Sequence, residues 1–295
     1  MSICELPEGI TLVDGPLPEV HVATPAAEGR VAVQGAHITH WQPAGAEPVL
    51  WMSKETRRQP GAPIRGGIPV CFPWFGPGRL EGDAASSQLD PGHGWARITD
   101  WNLVSARVDD AGVAELVWEI TGEMAQGQPH ADLFPLDATL RYTMTFGPDL
   151  RLSLEVIAGE VLVDVEQALH TYFAIDDLDG LRIEGLDGAP YIDKVTGDQA
   201  VHEGDLAIRG EVDRVHDSSA PLRIVDAGRT LRVTSTGTES IIVWNPWVAK
   251  SAVMSDFGDE EFREMVCVES GNVMAHAVTV PPGQNHVMTV QYSVE

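Results

Sequence analysis

The chain has 295 residues, of which 43% are hydrophobic, and a formal net charge of -25. That length admits two ordinary domains or one large all-β unit. The charge disfavours nucleic acid and anionic membrane surfaces as partners, and no window approaches the roughly eighteen consecutive apolar residues of a spanning helix.

The opening stretch, MSICELPEGITLVDG, lacks the basic and apolar regions of a secretory leader. Cys4, Cys71 and Cys267 are odd in number, far apart and without CxxC spacing, which fits reduced thiols in a cytoplasmic protein. Residues 30–41, RVAVQGAHITHW, alternate and include a glycine, predicting a strand with a bulge. Residues 51–100 are rich in Gly, Pro and Arg and too long for an idle loop, and Trp74, Phe75 and Trp95 argue for a functional segment. Strands are predicted over 114–121, 138–146, 150–157 and 161–173, with FGPDL as a hairpin turn between the second and third. TLRVTST, SIIVWNP, AHAVTV and HVMTVQYSV follow as strands, and the acidic stretch 254–265 as a short helix or solvated loop. Short, closely spaced strands with turn chemistry between them indicate an all-β sandwich or barrel. With no linker or composition break, one domain over 1–295 is expected.

Few groups stand out as chemically able. In 161–173, strand alternation puts Asp164, Glu166, Ala168, His170 and Tyr172 on one polar face, apart from Val163, Val165, Leu169 and Phe173. The run MVCVESGN reads as a buried strand ending in a carboxylate, Glu269. Arg65 lies in IRGGIP, and Arg97 with His93 in GHGWAR, where glycines let backbone and guanidinium approach a carboxylate or phosphate together. Each of these residues also has an ordinary structural reading, as a satisfied histidine, a strand-end acid or an arginine paired with one of many acids. No HxH or HExxH metal-ligand spacing appears, the two histidines of HITH, His37 and His40, fall on opposite faces of a strand, and nucleotide phosphate loops are missing.

Taken in order, PIRGGIPVCFPWFGP, HGWARITDW, EQALHTYF, APYIDK, VWNPW and VCVESGN resemble the hexose-6-phosphate mutarotases, or glucose-6-phosphate 1-epimerases, of the aldose 1-epimerase superfamily. The resemblance implies a galactose mutarotase-like β-supersandwich, an isomerase, that interconverts the anomers of a hexose 6-phosphate without cofactor or metal. It assigns His170 and Glu269 as acid and base, Arg65 and Arg97 as an anion-binding pair, His93 as a pocket residue and Asp193 as a sugar contact. Gly92 departs from the pattern, in which a polar residue is expected before the HG of HGWAR. The implied partner is a small-molecule sugar phosphate, with no nucleic acid and no membrane; a monomer is the default expectation. A general aldose mutarotase, a carbohydrate-binding module and a glycosidase using Glu269 with Asp193 are the alternatives. The basic residues are mostly Arg, with Lys54, Lys194 and Lys250 the only lysines.

Overall fold

The computed structural model describes residues 2–78 and 89–295. Two eight-stranded sheets dominate it. The first runs, in spatial order, Arg182–Glu184, Leu222–Val225, Thr230–Thr236, Asn285–Val294, Leu150–Ile157, Thr139–Phe146, Ala114–Thr121 and Asn102–Val108. Its strands alternate buried and partly exposed residues, as AELVWEIT does over Ala114–Thr121, because one face meets the core and the other meets water. The turn predicted at FGPDL joins two of these strands in register, Phe146 opposite Leu150.

The second sheet carries Gln199–Val201, Pro190–Asp193, Val212–Asp217, Ser240–Asn245, Met265–Asn272, Gln167–Leu169 and Val70–Cys71, with Tyr172–Ala174 also pairing to Met265–Asn272. Ser240–Asn245 and Met265–Asn272 are buried at every position, so this sheet is covered on both faces. One face packs on the first sheet: Phe173 meets the Tyr292 ring edge-on at 5.3 Å, and the Thr171 hydroxyl lies 2.6 Å from the Tyr292 hydroxyl. The other face holds a small separate apolar cluster, Cys71, Phe75, Ala168, Val215, Ile242 and Val273. A further four-stranded sheet is formed by Ile10–Val13, Glu19–Ala23, Ala27–Ala32 and His37–Pro43.

Three predicted elements differ in detail. Residues 30–41 are not one bulged strand but two, Ala27–Ala32 and His37–Pro43, reversed through a turn in which Gly35 and Ala36 take positive φ. Residues 161–173 divide into Val163–Val165, Gln167–Leu169 and Tyr172–Ala174, each with different neighbours. The acidic stretch 254–265 contains a single 3-10 turn, Glu261–Arg263, while the short helix Trp247–Ser251 precedes it.

Of the predicted functional segment 51–100, residues 79–88 lie outside the described residues. The rest folds onto the second sheet, with Val70–Cys71 pairing to Ala168 and Leu169. Gly67 makes the close approach possible. Its φ is 61°, and a Cβ there would stand 2.1 Å from the Ile38 carbonyl oxygen. Left-handed backbone and overpacking together lead us to expect Gly67→Ala to lower stability by about 2–5 kcal/mol. A urea denaturation midpoint equal to that of the parent would contradict this.

Candidate active site

Glu269 sits in the middle of the fully buried strand Met265–Asn272 of the second sheet, opposite Ile242 on one side. On its other side the neighbouring chain is paired at Leu169 with Ser270 and at Tyr172 with Cys267. The same register places His170 across from Glu269, in the gap between the two paired segments. Cross-strand neighbours share a face and meet side by side, and here His170 Nε2 lies 3.4 Å from Glu269 Oε1. The backbone N–H of His170 is freed from the ladder and donates to Pro69 O at 3.0 Å. Gly271, two residues on, has no room for a side chain: a Cβ would meet Gln167 O at 2.5 Å.

Both side chains are removed from water, Glu269 at 1% and His170 at 7% exposure. Burial pushes Glu269 well above the usual carboxylate range, and the nearby Asp213 carboxylate pushes the same way. Burial drives His170 well below its ordinary value, and the Arg65 and Arg97 charges add to the effect. The pair is therefore most stable holding one proton between its two members. Glu269 Oε2 and His170 Nδ1 have no hydrogen-bond partner among the described residues. A buried carboxylate oxygen left in that state normally has a ligand or water to meet it.

The two residues stand in a cavity of about 300 Å³ that Arg65 and His93 also line. This is the low end of the range for small-ligand sites. Phe75, Lys194, Asp213, Trp244 and Lys250 complete its polar and aromatic wall. Arg65 is fixed by two contacts: its guanidinium pairs with Asp256 at 3.1 Å and donates to the Tyr172 hydroxyl at 3.0 Å. Tyr172 in turn stacks on the His170 ring, centroids 4.8 Å apart. His93 Nδ1 accepts the Gly76 N–H at 3.2 Å, so its proton resides on Nε2. The loop that bears Phe75 is held by Glu166, whose carboxylate accepts the N–H groups of Phe75 and Met274.

Arg97 is not among the side chains that wall this cavity, although its charge reaches His170, His93 and Glu269. Its Nη2 donates to the carbonyl of Gly92, and its Nε is unpaired among the described residues. Gly92, the departure from the expected pattern, thus contributes backbone in place of a side chain, with space beside it: the nearest atom to an added Cβ is Gly76 O at 3.6 Å. Asp193 also lies elsewhere. It pairs in register with Arg214, whereas Asp213 pairs with Trp244. Neighbours along a strand face opposite ways, so Asp193 and Arg214 occupy the sheet face away from the cavity. Asp193 there accepts from Arg214 Nε at 3.0 Å and from the Val195 N–H at 3.0 Å, bracing a turn. The residues of APYIDK and its neighbours that do reach the cavity are Lys194 and Asp213, joined by an ion pair of 3.4 Å. Sequence reasoning missed both, together with Lys250 and Trp244. The available signal was the scarcity of lysine in so acidic a chain.

His170, Cys267 and Glu269 bring potential metal-ligating atoms within 4.8 Å of one another. The cations around them oppose a divalent ion, since Arg65, Lys194 and Lys250 line the same small space. Cys267 is itself held protonated by burial and by the Glu269 charge.

The aldose 1-epimerase family model matches residues 20–293. The chain belongs to that family. Among its relatives is an Escherichia coli K12 protein named "Putative glucose-6-phosphate 1-epimerase", 35% identical over 251 residues that make up 83% of this chain and 80% of the relative. The crystal structure of YeaD from Salmonella typhimurium superposes with a TM-score of 0.86 at 29% identity, covering 98% of this chain and 95% of that one. A galactose mutarotase-like protein from Clostridium acetobutylicum shares the fold at 11% identity, with a TM-score of 0.69 over 97% and 98% of the two chains. The all-β sandwich expected of the family is thus the fold of this member, and no described helix is long and apolar enough to cross a membrane.

Proposed function

We propose that the protein interconverts the α and β anomers of a hexose 6-phosphate, glucose 6-phosphate foremost, with Glu269 and His170 as the proton-transferring pair. The observation that carries this reading is their in-register juxtaposition, 3.4 Å apart at the base of a cavity with cationic walls. Family membership supports the reaction class, and the name of the Escherichia coli relative supports the phosphorylated substrate.

Anomer exchange breaks the bond between C1 and the ring oxygen and remakes it on the other face of the carbonyl. Glu269 as carboxylate takes the proton of the anomeric hydroxyl, while His170 as imidazolium protonates the ring oxygen as that bond opens. After rotation about the C1–C2 bond, the same two groups return their protons in the reverse sense. One proton shared by the pair suffices for both directions. The Nε2–H of His93 and the Asp213 carboxylate are available to hydroxyl groups of the sugar, and Trp244 and Phe75 provide apolar surface for the ring. The glycosidase alternative required Asp193 as the second carboxylate, and Asp193 lies on the opposite sheet face.

Polarimetry of freshly dissolved α-glucose 6-phosphate tests the proposal. The protein should shorten the approach to anomeric equilibrium in proportion to its concentration, and more strongly than for α-glucose. Equal acceleration of both sugars would instead mark a general aldose mutarotase, and tight binding without acceleration a carbohydrate-binding protein.

A further inference from the structure

We infer that Tyr172 is the positioning residue of the proton-transfer pair, its aromatic face fixing the plane of the His170 imidazole and favouring the imidazolium that anomer exchange needs; the inference rests on the proposed function. Tyr172 stands two residues after His170 and pairs in register with Cys267, two residues before Glu269. Residues two apart on a strand share a face. The two rings accordingly stack, with centroids 4.8 Å apart and planes 11° from parallel.

A proton-transfer histidine is ordinarily aimed by a hydrogen bond at its second ring nitrogen, but Nδ1 of His170 has no such partner among the described residues. Its orientation therefore comes from packing. His93 and Trp244 meet the ring steeply, at 68° and 73°, from centroid distances of 5.5 and 6.1 Å, and of its described aromatic neighbours only Tyr172 lies parallel to it. Tyr172 is itself held firmly. It is 2% exposed, its hydroxyl accepts a hydrogen bond from Arg65 Nη1 at 3.0 Å, and its backbone N–H donates to Gly67 O at 2.9 Å.

Charge gives the stacked ring a second role. Burial and the charges of Arg65, Arg97 and Lys194 all disfavour a protonated His170. Glu269, 3.4 Å away, offsets them as a carboxylate, but its charge falls as it takes the proton of the anomeric hydroxyl. Asp213, the other carboxylate of the cavity wall, is paired with Lys194. An aromatic face within about 6 Å attracts a cation by its ring electrons alone. Tyr172 supplies such a face, and burial keeps its hydroxyl protonated. The ring is not part of the cavity wall, so it reaches the sugar only through His170 and Arg65.

The test compares kcat and KM for glucose 6-phosphate in Tyr172→Phe, Tyr172→Leu and Tyr172→Met. All three lose the hydroxyl bond to Arg65, whose guanidinium keeps Asp256 at 3.1 Å, so differences among them report on the ring. Attraction of a cation to an aromatic face corresponds to about three- to thirtyfold in rate. Tyr172→Leu and Tyr172→Met should therefore fall below Tyr172→Phe by that factor in kcat, with KM alike in the three. Methionine fills irregular space flexibly, which keeps the test decisive should Tyr172→Leu fail to fold. Equal kcat in Tyr172→Phe and a folded variant without the ring, or a difference confined to KM, would overturn the inference while leaving the proposed function intact. A parent protein that leaves α-glucose 6-phosphate to equilibrate at its buffer rate would overturn the proposed function itself.

Discussion

Glu269→Gln should reduce anomer exchange of glucose 6-phosphate by about a hundredfold to ten-thousandfold, the usual contribution of a positioned proton-transfer group. The amide is nearly the same shape as the carboxyl group and can still face His170, but it cannot take a proton. The substitution also removes a group that is costly to ionise at 1% exposure, so the fold should be as stable as the parent or more so. The loss should fall on kcat, since the side chain acts on the reacting hydroxyl rather than on the phosphate. Stopped-time polarimetry with a parallel urea titration measures both quantities. A variant of parental stability and near-parental kcat would remove Glu269 from the chemistry.

His170→Asn is expected to cause a loss of the same order, about a hundredfold or more, and to add little when combined with Glu269→Gln, because two groups that exchange one proton fail together. The pH dependence follows from their shared environment. Separate groups at their ordinary values, 4.5 for a glutamate and 6.5 for a histidine, would confine the reactive form to a narrow interval. In this site burial disfavours both charged extremes of the pair. The state with two protons is positive and gives one up already at a lower pH than an isolated histidine would; the state with none is negative and forms only at a higher pH than an isolated glutamate would. The one-proton form, which includes the reactive arrangement, is therefore the form that burial favours. We expect kcat to fall in acid as the pair gains its second proton and in base as it loses its last, with both limbs belonging to the pair rather than to either residue. A rate that falls on one side only, or a pair of limbs unchanged in the His170→Asn variant, would contradict the coupling.

The parts of this site that the sequence makes legible are those written locally. A polar face that carries His170 and an apolar run that leads to Glu269 are visible without a partner, although the strand itself continues to Asn272. What joins them is long-range: Leu169 opposite Ser270 and Tyr172 opposite Cys267 fix a register that no stretch of either segment contains. Asp193 shows the cost of lacking that register. A shift of one residue along a strand exchanges its two faces, and it is Lys194, one position on, that reaches the cavity. Asp213 and Lys250 are illegible for a related reason, since each is an unremarkable charged residue until the strand Val212–Asp217 and the helix Trp247–Ser251 bring them to one wall. The all-β architecture was easier to read, because the alternation in runs such as AELVWEIT and TLRYTMTF reports directly on one buried face. The divided segment 161–173 was not, because continuous apolar and polar alternation does not reveal where a chain changes neighbours.

A proton-exchanging pair acting at the anomeric centre of a phosphorylated sugar is the core of the proposed mechanism. Exchange NMR at equilibrium, between the two anomeric proton signals of glucose 6-phosphate, measures that process with no net reaction. The parent protein at a small fraction of the sugar concentration should produce exchange well above the rate in buffer, and the Glu269→Gln/His170→Asn double variant should return it to near the buffer rate. Exchange at the buffer rate with the folded parent protein, or undiminished exchange with the double variant, would contradict the central claim.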